Sequence, residues 1–347
     1  MGLNPVRLSA PLSLLLAMAF ASRFVAAAEP EWVDVSSSIV RTLTESGEKT
    51  AWPGETAGVA VDPTTGDVYM IVTGLGIWKS TDQGKTFVRS EGKRVGGRCE
   101  TSFSLNFDNA GRRLACFMLD GKCAWTGDAG ATWTPFTDVG RNWDYAAVDW
   151  SAVSVKTIFA ALHESGGKVM FSDDGGRTWI KLFEDIEFDK SGGLGIFDAT
   201  TLVYKQKGKG IQRSTDAGKT WTKVADHEPV GRLVVMHKGK AFWLAKDGLL
   251  VSTDKGATWT MQGKPIEASI GPFFDPANEK RIVTAGAKGI FQSNDAGETW
   301  QLVSKLPAAF DRLPKLGWFT NVAWDPVHDV YYTSHMGKPT YRLKATP

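Results

Sequence analysis

The sequence predicts an all-β fold, a seven-bladed β-propeller, and three observations predict it. An eight-residue unit, Ser/Thr-x-Asp-x-Gly-x-x-Trp/Phe, recurs six times, starting at Ser80, Thr126, Ser172, Ser214, Ser252 and Ser293. The copies follow one another at about 40 residues, a period that in a β-rich chain marks one blade per repeat. The two ends of the chain complement each other. Asn321-Val322-Ala323-Trp324-Asp325-Pro326 repeats the opening Gly58-Val59-Ala60-Val61-Asp62-Pro63, but no unit follows it. Trp32 stands where the aromatic of a unit would stand, so the first strand is expected to complete the last blade. Six units plus this split blade make seven; eight is the alternative count.

Each position of the unit has a physical role. The aspartates, Asp82, Asp128, Asp174, Asp216, Asp254 and Asp295, accept backbone N–H groups of the turn that follows, and the Ser or Thr hydroxyl adds a further bond. Glycine two positions on permits φ > 0. The aromatic, Phe87, Trp133, Trp179, Trp221, Trp259 or Trp300, restarts a strand and buries a large ring between sheets.

The strands follow in order. Gly58 to Asp62, Asp67 to Val72 and Ile77 to Lys79 alternate around a Pro-Thr-Thr-Gly turn and lead into the first unit. Ser104 to Asp108 and Arg113 to Leu119 open the second blade, Tyr145 to Asp149 and Lys156 to Leu162 the third, and Leu194 to Asp198 and Thr201 to Lys205 the fourth. Leu233 to Met236 and Ala241 to Ala245 open the fifth, and Pro272 to Asp275 and Arg281 to Ala285 the sixth. Asn321 to Pro326, Asp329 to Thr333 and Thr340 to Leu343 supply the seventh. Pairing the N-terminal strand onto this blade removes a free sheet edge.

The repeated unit resembles the Asp-box, also called the bacterial neuraminidase repeat, of sialidases, xyloglucan-specific glucanases, sortilin-type receptors and photosystem assembly factors. The six boxes span Ser80 to Trp300. The resemblance implies a propeller; it does not imply one chemistry, because those families share the box and not the reaction.

Residues 1–28 read as a secretory leader: Arg7, an apolar run from Leu12 to Ala21, and Ala26-Ala27-Ala28 as a cleavage site. Residues 29–347 are then one propeller domain, secreted or periplasmic, and expected to be a monomer. The formal charge is +2, and loss of Arg7 and Arg23 with the leader brings it to zero, which argues against nucleic acid as a partner. The apolar run is short for a membrane span. Cys99, Cys116 and Cys123 fall in one blade. A turn at Asp120-Gly121 sets Met118 against Cys123 and leaves Cys99 at the same end, so Cys99–Cys123 is the expected disulfide, with three unpaired thiols as the alternative. Their spacing fits no zinc site, the histidines lack ligand spacing, and no motif calls for a cofactor.

Loops that lead into each blade lie on the face opposite the boxes, and that face is where a ligand is expected. Its candidate ligand-binding residues are Arg98, Arg141, Trp143, His163, Arg232, Trp318 and His335, with Trp52 and Glu55 on the same face. Aromatic faces suit sugar rings, and Arg suits carboxylates and sulfates. Candidate catalytic residues are Glu100, Asp144, Tyr145 and Glu267, since glycoside hydrolysis needs two carboxyl groups about 5–10 Å apart. The resemblance to sialidases implies an arginine triad, here Arg98, Arg141 and Arg232, with a Tyr145–Glu267 pair and Asp144 as acid. The Arg-Ile-Pro segment of that family is missing before the first box, where Arg41 precedes Thr-Leu. The expected function is binding of a glycan or other extracellular ligand. The alternatives are a sialidase-like hydrolase or polysaccharide lyase, and a protein-binding receptor or assembly-factor propeller.

Overall fold

The computed structural model describes residues 1–2, 31–90, 95–137, 143–163, 165, 168–183, 193–311, 313 and 319–344. Among these, seven four-stranded antiparallel sheets form a β-propeller. The innermost strands are Thr56–Val61, Leu105–Phe107, Trp143–Val148, Leu194–Ile196, Val235–His237, Ile270–Asp275 and Thr320–Asp325, in blades 1 to 7. In blades 1 to 6 the strands run outward in chain order. Blade 7 takes its outermost strand from the other end of the chain: Val33–Asp34 pairs with Tyr341–Lys344, Val33 opposite Arg342 and Asp34 opposite Tyr341. Closure at Trp32 is as the sequence predicts. Its ring packs beside Val303 and Leu306 against the cluster of Ile290 and Leu343, and its indole N–H donates to the Lys305 carbonyl at 2.9 Å.

The box aromatics pack between their own blade and the preceding one. Trp221 lies near Phe159 of blade 3 and meets Tyr204 of blade 4 edge-on, with ring centroids 6.2 and 4.7 Å away. Trp133 joins Tyr69 and Leu105, and Trp300 joins Leu249 and Ile282. Trp32 does the same between blades 6 and 7, which is why a strand without a box can close the ring.

The box turn is tighter than the eight-residue pattern implies. In the third copy the Ser172 hydroxyl donates to Asp174 at 2.9 Å and accepts the Gly176 amide at 2.9 Å. Thr178 donates both its amide (2.9 Å) and its hydroxyl (2.7 Å) to the Asp174 carboxylate. All six boxes carry Thr at this seventh position, which the pattern left open. The glycine has a second role besides its φ of +77°: a Cβ on Gly176 would sit 2.4 Å from the Phe136 ring of blade 2. We expect Gly176→Ala to destabilise by about 2–3 kcal/mol through strain and overpacking, read as a lowered urea midpoint with unchanged m-value.

The threonine bonds have a pH consequence. The Thr178 amide and then its hydroxyl hold the Asp174 carboxyl at about 2. The hydroxyls and then the amides of Thr220 and Thr299 hold Asp216 and Asp295 at about 2. Their folded values lie below the unfolded one near ~3.9, so folding favours the ionised form. The stabilisation is complete above the unfolded value and is lost as pH falls through the folded ones. Thermal melts should therefore be flat above about pH 5 and decline between about pH 4 and pH 2. A melting temperature constant down to pH 2 would contradict this.

Two features are not foreseen in the sequence reading. A helix, Ser37–Glu45, follows the closing strand and buries Val40 and Leu43 against Met70, Val72 and Trp78 of blade 1. Asp34 accepts the Ser36 and Ser37 amides at its start, each at 2.9 Å. The expected Cys99–Cys123 disulfide is not formed: the cysteines are thiols. Cys99 Sγ points at Gly58, where a Cβ would come within 2.3 Å. The Cys123 sulfur instead meets the Met118 amide at 3.1 Å and carbonyl at 3.5 Å, so Met118 does face Cys123. Burial pushes the Cys99 and Cys116 thiols well up, away from the reactive thiolate.

Candidate functional site

The face opposite the boxes is assembled by loops that enter the innermost strands and by the hairpins between second and third strands. Trp52, just ahead of blade 1, is 70% exposed. The Arg98 guanidinium lies 4.7 Å from its ring centroid and pairs with Asp120. Arg98 is fixed from behind, because its backbone exchanges two 3.0 Å hydrogen bonds with Leu119. An exposed indole braced by a buried guanidinium is a rigid flat platform.

The other predicted residues divide by position. Asp144 Oδ1 and His163 Nδ1 are 2.7 Å apart. Arg232 is buried with its guanidinium over the Tyr145 ring at 5.6 Å, and Tyr145 is itself buried. Glu100 is buried; its amide donates to Ser104 Oγ at 3.1 Å, and that hydroxyl donates to the Asp144 carbonyl at 2.7 Å, so the two acidic residues are joined through one serine. Glu267 stands in solvent, 2.8 Å from Lys288. His335 is buried between Phe310 and Phe319 with Thr320 at 3.1 Å, and burial lowers its pKa. Trp143 is 3% exposed and packs against Phe117 and Trp179, so it belongs to the core between blades 2 and 3 and not to the ligand face. Arg141 and Trp318 lie outside the described residues, as do residues 3–28 of the expected leader.

The axis is crossed on this side. The Ser102 hydroxyl donates to the Thr320 carbonyl at 3.0 Å and accepts the Val322 amide at 3.2 Å, both in blade 7. Phe103 stacks with Phe273 of blade 6, centroids 6.3 Å apart. Beyond them, toward the boxes, the channel holds a cavity of about 330 Å³ lined by the ends of the innermost strands. The cavity opens where those strands run out into the Asp62-Pro63, Asp108-Asn109 and Asp149-Trp150 turns, on the box side and away from the face where the sequence leads one to expect a ligand.

Among the described residues, no group of three or more His, Cys, Asp or Glu is placed to hold a metal ion. No helix among them is long and apolar enough to cross a membrane.

Fold and turn chemistry together define an Asp-box β-propeller. Residues 212–223, the fourth box and its flanks, match the BNR/Asp-box repeat family. A stretch of 143 residues is 32% identical to the dispase autolysis-inducing protein of Streptomyces mobaraensis, covering 40% of this chain and 38% of that protein. A stretch of 168 residues is 27% identical to a xyloglucanase of Hypocrea jecorina (strain QM6a), covering 46% of this chain and 20% of the enzyme. The chain thus spans less than half the length of either relative. Among solved structures, YCF48 bound to D1 peptide is similar at 13% identity and a TM-score of 0.49, over 86% of this chain and 96% of that one.

Proposed function

We propose that this protein is an exported, non-catalytic binding propeller that holds a glycan on the face opposite the boxes, with Trp52 as the stacking platform. The observation that carries the reading is the exposed Trp52 indole braced by Arg98. A sugar ring presents an apolar C–H face to an indole, and a pre-positioned aromatic loses little freedom on binding. Partial likeness to a xyloglucanase supports a carbohydrate ligand; it does not by itself supply a reaction.

The acids support binding over hydrolysis. A glycosidase needs an acid and a second carboxylate facing each other across a sugar. Here Asp144 faces His163, Glu267 faces Lys288, and Ser102 and Phe103 cross the axis. A glycan array and a polysaccharide-degradation screen on residues 29–347 test the proposal. Trp52→Ala should weaken the bound glycan by about 2 kcal/mol, roughly 30-fold, as for a buried binding anchor, while Glu267→Gln should bind as the parent does. Retained affinity in Trp52→Ala would remove the site. Polysaccharide cleavage that disappears in Glu100→Gln or Asp144→Asn would establish the hydrolase or lyase reading in its place.

A further inference from the structure

We infer that the box-side half of the central channel is a second binding site, for a small aromatic molecule that is neutral or positively charged. It is separate from Trp52 and does not rest on the glycan reading.

Volume sets the ligand's size. The cavity, about 330 Å³, is about twice the ~150 Å³ engineered apolar cavity that accepts benzene. A two-ring molecule of indole size fits within it. Its walls set the ligand's polarity. Phe107, Phe197, Phe273, Phe274, Trp150 and Met236 are among the residues that line it.

The polar side chains of the wall are largely engaged. Ser102 is spent on blade 7. Asn106 donates to the Ala146 carbonyl at 2.7 Å and accepts the Trp150 indole N–H at 3.3 Å. Asp108 holds the Ala110 amide at 3.1 Å and Arg113 at 2.6 Å. A water needs two to four polar partners to stay in such a space, and the wall offers few, so an apolar occupant is favoured.

Charge selects among aromatic molecules. Among the described residues that line the cavity there is no Lys, Arg or His, whereas Asp149 is one of them, its Oδ1 accepting the Ser151 amide at 2.9 Å. Arg113, over the Trp150 ring, is already paired with Asp108, so an anion entering there would meet a carboxylate first. A protonated amine on an aromatic ring would meet Asp149 with its ring inside.

One hydrogen bond crosses the cavity. The Asn109 side-chain amide of blade 2 donates to the Met236 carbonyl of blade 5 at 2.6 Å. Both residues line the cavity, and their blades stand on opposite sides of the ring, so this bond spans the mouth. Breaking it is the opening step that the geometry allows without moving a strand.

Indole, tryptamine and indole-3-acetate, titrated by calorimetry and by fluorine NMR of their 5-fluoro forms, test the inference on residues 29–347. Tryptamine and indole should bind saturably with one site, tryptamine several-fold tighter, and indole-3-acetate weakest. Ala147→Leu and Ala323→Leu fill the wall from blades 3 and 7; either variant that melts cooperatively should bind at least 10-fold more weakly. Asp149→Asn should remove the preference for tryptamine over indole. Asn109→Ala should speed both association and release. Trp52→Ala should change none of these, which separates this site from the glycan face. The inference is overturned if no probe binds the parent protein saturably, if the filled variants bind unchanged, or if indole-3-acetate binds best. Should neither filled variant fold, the parent's ranking of the three probes and the Asp149→Asn result decide it.

Discussion

Removing the chain up to Val35 should lower the melting temperature by about 10 °C and make the protein associate as its concentration rises. The truncation deletes the outermost strand of blade 7 and exposes the edge of Tyr341–Lys344. It removes the ladder pairs at Val33 and Asp34, the Val35 amide bond to the Thr340 carbonyl at 2.9 Å, and the Trp32 bond to Lys305. It also strips the Ser37–Glu45 helix of its Asp34 cap, worth about 1 kcal/mol. With the packing of one indole and several net hydrogen bonds at about 1 kcal/mol each, the loss is about 4–6 kcal/mol. At about 2–4 °C per kcal/mol in a chain of this size, that is a shift of roughly 10 °C or more. The bare edge then offers unpaired N–H and C=O groups to other molecules. Calorimetry and size-exclusion chromatography over a hundredfold concentration range read both effects. A truncated protein melting within 2 °C of the parent would mean that the ring does not depend on this closure.

Phe103→Ala should be the most damaging single substitution in the channel. The ring is 8% exposed, stacks on Phe273 from across the axis, and packs with Tyr145, Leu194 and Leu233. Truncating a buried phenylalanine costs about 3–5 kcal/mol, part of it for the cavity left behind. Here that cavity would merge with the existing 330 Å³ space. The expected result is a melting temperature lowered by roughly 6–20 °C. Phe103→Leu, which keeps most of the volume, should lose only about 1 kcal/mol. Equal loss in the two variants would mean that the position is sensitive to shape alone and does not act as a plug.

Much of the fold is legible in the sequence because its signals are local and repeated. Ser80, Asp82, Gly84 and Phe87 build their own turn within eight residues, and five further copies confirm the spacing. The split blade is legible because Trp32 matches the box aromatic and Asn321-Val322-Ala323-Trp324 matches the opening of blade 1. Thr86 and its five equivalents stand in plain view, but the pattern leaves their position open although they clamp the aspartate. The site was less legible because it depends on how far a loop side chain reaches. Phe103 precedes a predicted strand and gives no sign that it will cross the axis. Trp143 and Trp52 both look like loop aromatics, yet the first starts a strand one residue before a register shift and turns into the core, while the second stays in solvent. Cys99 and Cys123 share one cluster, as their place in the blade leads one to expect, but both are thiols, one sulfur against Gly58 and the other against the Met118 amide.

The meeting of both termini in the outer strands of blade 7 has a practical geometric meaning. Strand Tyr341–Lys344 ends, and strand Val33–Asp34 begins, where the other six blades carry their box, so both of these ends lie on the box-side rim of blade 7. A group attached at Lys344 therefore stands on the box side and leaves the opposite surface, which carries the exposed Trp52, unshaded.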